Sequence, residues 1–232
     1  MQRLYEKLKK YTLEDAINIE KIDRQFLSLE KLYKNKILDD KIYLFIIIVN
    51  ALICYQLSWK WEDYWEEFWE ALINNKITNF SEIYIFFEEF IPESKNNKRF
   101  VNIKLKRVQK IETFYLDFIS KSKYYYEYMW ELVDILSKIM NQKKEAKTIV
   151  FAVKMFSYWA RNIFDLKYFP EDIMIPIDSR LEKLYEKYNL EWTKYSHIQE
   201  IKSFYIELSK KLKIPLLHLD AILWVNYDEL VE

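Results

Sequence analysis

An all-α fold is predicted by two observations on the 232-residue chain. Apolar residues recur at helical spacing almost from end to end, and no stretch alternates apolar and polar side chains for long enough to read as a strand. The sequence also contains no glycine. No position then adopts φ > 0 cheaply, so type I′ hairpins, glycine-capped helix ends and phosphate-cradling loops are all disfavoured. That argues against a Rossmann or P-loop nucleotide binder.

The helices follow in order. Leu4, Leu8 and Tyr11 precede Thr12-Leu13-Glu14-Asp15, a capping-box start. Ala16, Ile19, Ile22, Phe26, Leu29 and Leu32 then predict one amphipathic helix, with Gln25 beside its apolar stripe. Asp39 and Asp40 form the acidic first turn of the next helix, whose most apolar run, Ile42 to Tyr55, is 14 residues long and includes Asn50. A bilayer span needs about 20 such residues, so this is read as the central core helix and no membrane is expected. From Trp59 to Glu70, Trp61, Trp65, Phe68 and Trp69 share one helical face, with Glu62, Asp63, Glu66, Glu67 and Glu70 mainly on the other. Phe80 to Phe90 is a short helix ended by Pro92.

Seven basic residues and no acidic one lie between Lys95 and Lys110: Lys95, Lys98, Arg99, Lys104, Lys106, Arg107 and Lys110. A solvated helix face and a phosphate-contacting surface explain them equally well. Residues 111–140 give one or two helices with a break near Ser120-Lys121-Ser122. The polar hairpin Asn141 to Ala146 leads into a long, mostly apolar helix from Lys147 to about Phe164. Pro170 and Pro176 bracket an extended connector, Asp178 or Ser179 caps a helix to Tyr188, Ser196 and Gln199 form a capping box, and Pro215 starts the last helix.

Composition sets the remaining bounds. The chain is 51% hydrophobic and 31% charged, as a globular protein is, and its length suits one large domain or two small ones sharing a core. Lys plus Arg equals Asp plus Glu at 36 each, so any affinity for nucleic acid must come from local clustering. A single cysteine, Cys54, excludes an intramolecular disulfide and a cysteine-based zinc site, and it fits a reducing, cytoplasmic location. His197 and His218 are too few and too far apart for a metal site, so neither metal nor cofactor is expected. The opening MQRLYEKLKK is charged throughout and lacks the apolar region of a secretory signal.

The stretch with chemistry in it is Lys147 to Asp178. A lysine acts as a nucleophile only as the free amine, which is scarce at neutral pH for an ordinary side chain. The apolar residues after Lys147, the neighbouring Lys143 and Lys144 and the helix N-terminus each disfavour an ammonium there. Asp178 stands just ahead of a helix, where a carboxylate commonly serves as N-cap. Its pairing with a helix-mouth lysine about thirty residues earlier gives it a second reading, as that amine's partner.

Lys147 opening a helix after a hairpin, with Pro176-Ile177-Asp178 beyond it, resembles the catalytic unit of the helix-hairpin-helix DNA glycosylase superfamily. The stretches Asn50 to Leu57 (NALICYQL), Lys147 to Met155 (KTIVFAVKM) and Pro215 to Trp224 (PLLHLDAILW) look like one branch, the archaeal 8-oxoguanine DNA glycosylases. The resemblance implies two helical subdomains with the active site in the cleft between them, 1–122 with 191–232 forming the first and 123–190 the helix-hairpin-helix subdomain. It makes Lys147 the Schiff-base nucleophile and Asp178 the catalytic carboxylate of a DNA repair N-glycosylase and AP lyase. The base pocket would fall on Gln25, Cys54, Trp65, Phe151, Pro176, Asp178, Asp220 and Trp224, and Lys143 and Lys144 would meet the DNA backbone. Lys154 lies seven residues beyond Lys147 on roughly the same face, but the superfamily's catalytic amine sits at the helix start.

The implied partner is DNA containing 8-oxoguanine, double-stranded with single-stranded acceptance left open, met by a monomer that works at the nucleoid. Two features depart from the family pattern: the hairpin has no glycine, and Cys54 stands where serine is expected. Two other readings remain open. One is a glycosylase of the same fold for another damaged or mismatched base, and the other a non-catalytic helical DNA-binding module in which Lys147 and Lys154 contact phosphates.

Overall fold

The computed structural model describes residues 1–35, 38–58, 60–189 and 198–232, and every regular element among them is helical. The backbone forms two compact units, one of 1–23 with 168–232 and one of 24–167. The grouping of 123–190 expected from sequence crosses that division.

The larger unit holds α3 (Arg24–Lys34), α4 (Asp40–Ile53), α5 (Trp61–Leu72), α6 (Phe80–Glu93), α7 (Val101–Lys110), α8 (Glu112–Glu127), α9 (Met129–Met140) and α10 (Lys147–Ala160). Asp39 caps α4 by accepting from the Lys41 N–H, and every residue from Ile42 to Ile53 is buried, so this helix is the centre of the core. Buried α10 lies along it. The φ/ψ of Lys121 are non-helical, which kinks α8 at the expected break. Pro92 sits inside the last turn of α6 instead of ending it early, and α10 stops at Ala160, short of Phe164.

The smaller unit holds α1 (Gln2–Leu8), α2 (Leu13–Glu20), α11 (Ser179–Tyr188), α12 (Ile198–Leu212), α13 (Leu216–Val225) and α14 (Tyr227–Val231). Thr12 and Asp15 make the predicted capping box, and Pro215 is the N-cap of α13. His218 on α13 is fully buried: its Nε2 accepts from the Phe169 N–H at 3.0 Å while Nδ1 meets Glu20 Oε1 at 2.7 Å. Nδ1 must then carry the proton, and His218 is a pinned structural residue. The capping box at Ser196 and the residue His197 lie outside the described residues.

The sequence predicted one helix from Ala16 to Leu32, but the chain breaks it at 21–23. Ile22 and Asp23 close the end of α2 with N–H bonds to Ile19 and Glu20 carbonyls, and Ile22, counted in the apolar stripe, is 63% exposed. The break coincides with the division between units, and the apolar period runs across it. On α5 the expected faces are also rearranged: Glu62 and Tyr64 are buried with Trp65 and Phe68, and Trp69 is only half-buried.

Helix ends that would ordinarily use glycine use other residues. Asn141 (φ 50) ends α9, with the Gln142 N–H reaching back to the Ser137 carbonyl at 2.9 Å. Lys213 (φ 57) ends α12 in the same way, with Ile214 N–H on the Ser209 carbonyl at 3.2 Å. Both are Schellman closures. Lys213 carries the steric cost that a Cβ meets in the left-handed region.

The basic run is neither uniformly solvated nor uniformly displayed. Lys104 is fully buried, donating to the Asn97 carbonyl at 3.0 Å and to its side-chain oxygen, while Asn97 Nδ2 reaches the Ile53 carbonyl at the end of α4. Glu67 holds the loop beneath, accepting from Ser94 Oγ, the Lys95 N–H and Asn96 Nδ2. Burial pulls the Lys104 amine down to about 8, against the opposing pull of Cys54 and with help from Arg99.

Two outcomes follow for stability. Replacing Lys213→Gly removes the left-handed penalty and is expected to add up to about 1 kcal/mol, a rise in Tm of roughly 2–4 °C in a thermal melt for a chain of this size. Between pH 8 and the ordinary 10.5 the unfolded chain keeps the Lys104 proton that the folded chain has released, so this group makes stability rise with pH across that window. Urea melts of Lys104→Met are expected to lack that rise, and equal pH slopes in variant and wild type would refute the assignment.

Candidate active site

In the larger unit, Lys147 is the first residue of α10, and the helix reaches it without a side-chain cap because Ala146 holds the N-cap position. The amine is half-buried, with Nζ 4.5 Å from the centroid of the Trp61 ring. Trp61 in turn meets Phe151 edge-on at 4.8 Å, and Phe151 meets Trp65 at 6.4 Å. Three aromatic side chains thus surround the mouth of α10. Of the influences that the sequence placed on this amine, two come from the neighbouring lysines. One of those influences, the charge of Lys144, is drawn away into an ion pair with Asp134, while Lys143 remains exposed.

Cys54, just past the end of α4, is fully buried. Burial pushes its thiol far up, and the ammonium groups of Lys147 and Lys104 pull the other way. It stays a neutral thiol, able to donate one weak hydrogen bond. Gln25 is buried near the start of α3. Trp65 is buried to 1% exposure, and its indole N–H has no acceptor among the described residues. A buried donor left unpaired costs about 1–3 kcal/mol, so Trp65 suits a ligand that brings an acceptor. Its edge-on packing on Phe68 and Phe151 makes it less a stacking platform than a donor. Lys154, seven residues along α10, is buried with Nζ 5.2 Å over the Tyr158 ring.

In the smaller unit, Pro176 is buried, and Asp178 caps α11 with Oδ1 alone, accepting from the N–H groups of Arg180 at 3.0 Å and Leu181 at 3.1 Å. Oδ2 takes no part in the cap. Asp220, buried on α13, and Asp178 both reach Tyr205: burial raises that phenol well above its ordinary value, and the two carboxylates raise it further. Tyr205 donates to the Leu181 carbonyl at 2.6 Å. Trp224 is half-buried, and the Arg180 guanidinium covers one face at 3.8 Å from the ring centroid.

Within each unit, then, the candidate residues cluster. Lys147, Cys54, Trp65 and Phe151 lie together in one, and Asp178, Asp220 and Trp224 in the other. Sequence reasoning passed over Trp61 as core and did not single out Arg180. The spacing carried a signal for Trp61, which lies one helical turn before Trp65; none marked Arg180, whose place over Trp224 comes from the packing of separate helices. A groove of about 550 Å³ in the smaller unit, beside Glu171 and Pro215, includes none of the candidates. Among the described residues no three His, Cys, Asp or Glu side chains form a metal cage, and no helix is long and apolar enough to cross a membrane.

Comparison with known proteins gives this arrangement a family. The model of the AGOG family, described as N-glycosylase/DNA lyase, matches residues 5–230. An N-glycosylase/DNA lyase of Methanococcus maripaludis is 42% identical over 216 residues, covering 88% of this chain and 78% of that one. One of Nanoarchaeum equitans is 38% identical over 220 residues, covering 94% and 86%. The fold matches, with a TM-score of 0.82 at 24% identity over 97% of this chain and 86% of the other, a crystal structure of Pa-AGOG, the 8-oxoguanine DNA glycosylase of Pyrobaculum aerophilum, complexed with 8-oxoguanosine. With nearly its whole length matched, the chain belongs to the AGOG family of N-glycosylases/DNA lyases.

Proposed function

We propose that this enzyme excises 8-oxoguanine from DNA with Lys147 as its Schiff-base nucleophile and Asp178 as the catalytic carboxylate. The observation that carries the reading is the setting of Lys147, a half-buried amine at the start of a buried helix with its Nζ over Trp61. A lyase needs such an amine, and Lys154 is buried further along the helix. The substrate is the one named for the structurally similar Pyrobaculum enzyme.

The target nucleotide is flipped out of the duplex. The neutral Lys147 amine attacks C1′ as the bond from C1′ to the base breaks, and the base leaves with the electron pair and takes up a proton. Asp178 helps deprotonate the lysine and stabilises the positive charge developing on the sugar. Opening of the sugar ring then gives the Schiff base. Loss of a C2′ proton expels the 3′ phosphate by β-elimination, and water hydrolyses the imine to return Lys147.

Phe151 and Trp224 would stack on the base. Gln25, Cys54, Trp65, Pro176, Asp178 and Asp220 would read its edges. The hairpin, within residues 123–190, grips the DNA. Lys143 supplies the main phosphate contact, since Lys144 is shared with Asp134. The enzyme works as a monomer on double-stranded DNA.

Two experiments test this reading. Sodium borohydride is expected to trap a covalent adduct between the wild type and a duplex carrying one 8-oxoguanine. Lys154→Gln should trap as well and Lys147→Gln not at all, and an adduct with Lys147→Gln would reject the nucleophile. Asparagine caps a helix as well as aspartate does. Asp178→Asn should therefore keep its Tm while adduct formation slows by at least about 100-fold, whereas Asp178→Ala should also lose about 1 kcal/mol of stability. Full activity in the asparagine variant would reduce Asp178 to a cap.

A further inference from the structure

Five of the seven basic residues between Lys95 and Lys110 are exposed, and Lys104 and Arg107 turn inward. Lys104 is accounted for by the loop it braces. Arg107 is not, and it lies where the catalytic helix begins.

The Arg107 Nη2 donates to Gln142 Oε1 at 2.9 Å and to Thr148 Oγ1 at 3.1 Å, and Thr148 Oγ1 donates to the same Gln142 oxygen at 3.0 Å. The three side chains therefore close a ring of hydrogen bonds. Gln142 belongs to the hairpin, its backbone N–H fixed to the Ser137 carbonyl in the closure of α9. Thr148 is the neighbour of Lys147 in the first turn of α10. On the other side the guanidinium lies 5.4 Å from the ring centroid of Tyr55, the residue after Cys54. One half-buried cation thus ties α7, the hairpin and the uncapped start of α10 together.

We propose that Arg107 is a positioning residue for the Lys147 amine, acting through Gln142 and Thr148. The first turn of α10 has neither a side-chain cap nor an acidic residue, and the hairpin has no glycine with which to adjust its path. The Arg107 guanidinium supplies the fixation that a cap supplies elsewhere. Charge-assisted bonds of this kind are stronger and more directional than neutral ones; both leave the single nitrogen Nη2, which the planar guanidinium stacked by Tyr55 holds more firmly than a flexible lysine stem would hold its amine. A displacement of about 1 Å at a reacting centre costs on the order of 100-fold in rate.

The inference rests on Lys147 being the Schiff-base nucleophile, and the test separates the two claims. Borohydride trapping is run under single-turnover conditions at saturating enzyme on a duplex with one 8-oxoguanine, beside the Kd for the same duplex without borohydride. In Arg107→Met the trapping rate at saturation is expected to fall on the order of 10- to 100-fold with Kd little changed, and Arg107→Lys should recover only part of it. Thr148→Val should slow trapping in the same sense, and the double variant should be no slower than Arg107→Met alone, because both changes break one ring. Thermal melts establish that each variant is folded, and Thr148→Val, nearly isosteric, carries the test if Arg107→Met does not fold.

A normal rate at saturation, a loss confined to Kd, or losses that multiply in the double variant would each overturn the positioning role. A wild type that traps no adduct would instead overturn the nucleophile, and this inference with it.

Discussion

The burial of α10 against α4 is the constraint on which the larger unit depends. Helix α4 is apolar on every side and buried from Ile42 to Ile53, so it lies wholly within the core. Helix α10 is likewise buried from Ile149 to Ala160. Each large apolar side chain in such a pair contributes about 1.5–3 kcal/mol by leaving water, and close packing lets neither helix turn or slide without loss. The aim of the first residue of α10 is therefore set largely by the core behind it. Lys147 emerges where the apolar sequence stops.

Polar groups then refine what packing leaves loose. The end of α4 is held by Asn97 and Lys104, the loop carrying Asn97 by Glu67, and the start of α10 by Gln142, Thr148 and Arg107. These links all involve side chains from α5 to α7 or from the hairpin, which the sequence presents as charged surface. A buried charge is costly unless fully engaged. Here each inward cation meets two oxygens and the face of Tyr55, while the buried Arg107 Nε is left without an acceptor among the described residues.

The all-α class, the core helix, the capping box at Thr12, the kink at Lys121 and the cap at Asp178 were all legible in the sequence, because each depends on local pattern. The break at 21–23 was not, since periodicity carries on through it and only tertiary partners stop the helix. Nor was the inward turn of Lys104 and Arg107. A charge run has no local feature that says which member finds an acceptor, and Asn97 and Gln142 become acceptors only once the chain has folded. Trp61 lies between these cases: its helical face was correct, but its position over an amine depends on where α10 begins.

The chain's lone sulfhydryl has a bearing on the conditions under which such an enzyme is needed. Oxidised guanine accumulates when oxidants are abundant, and those same oxidants attack cysteine through its thiolate. Cys54 is shut away from solvent, and burial holds it in the protonated form despite two nearby cations. Thiolate character and access are what govern oxidation of a cysteine, and this one has neither. A cysteine so placed thus adds no oxidisable weak point, because it is inert toward the agents that oxidise guanine.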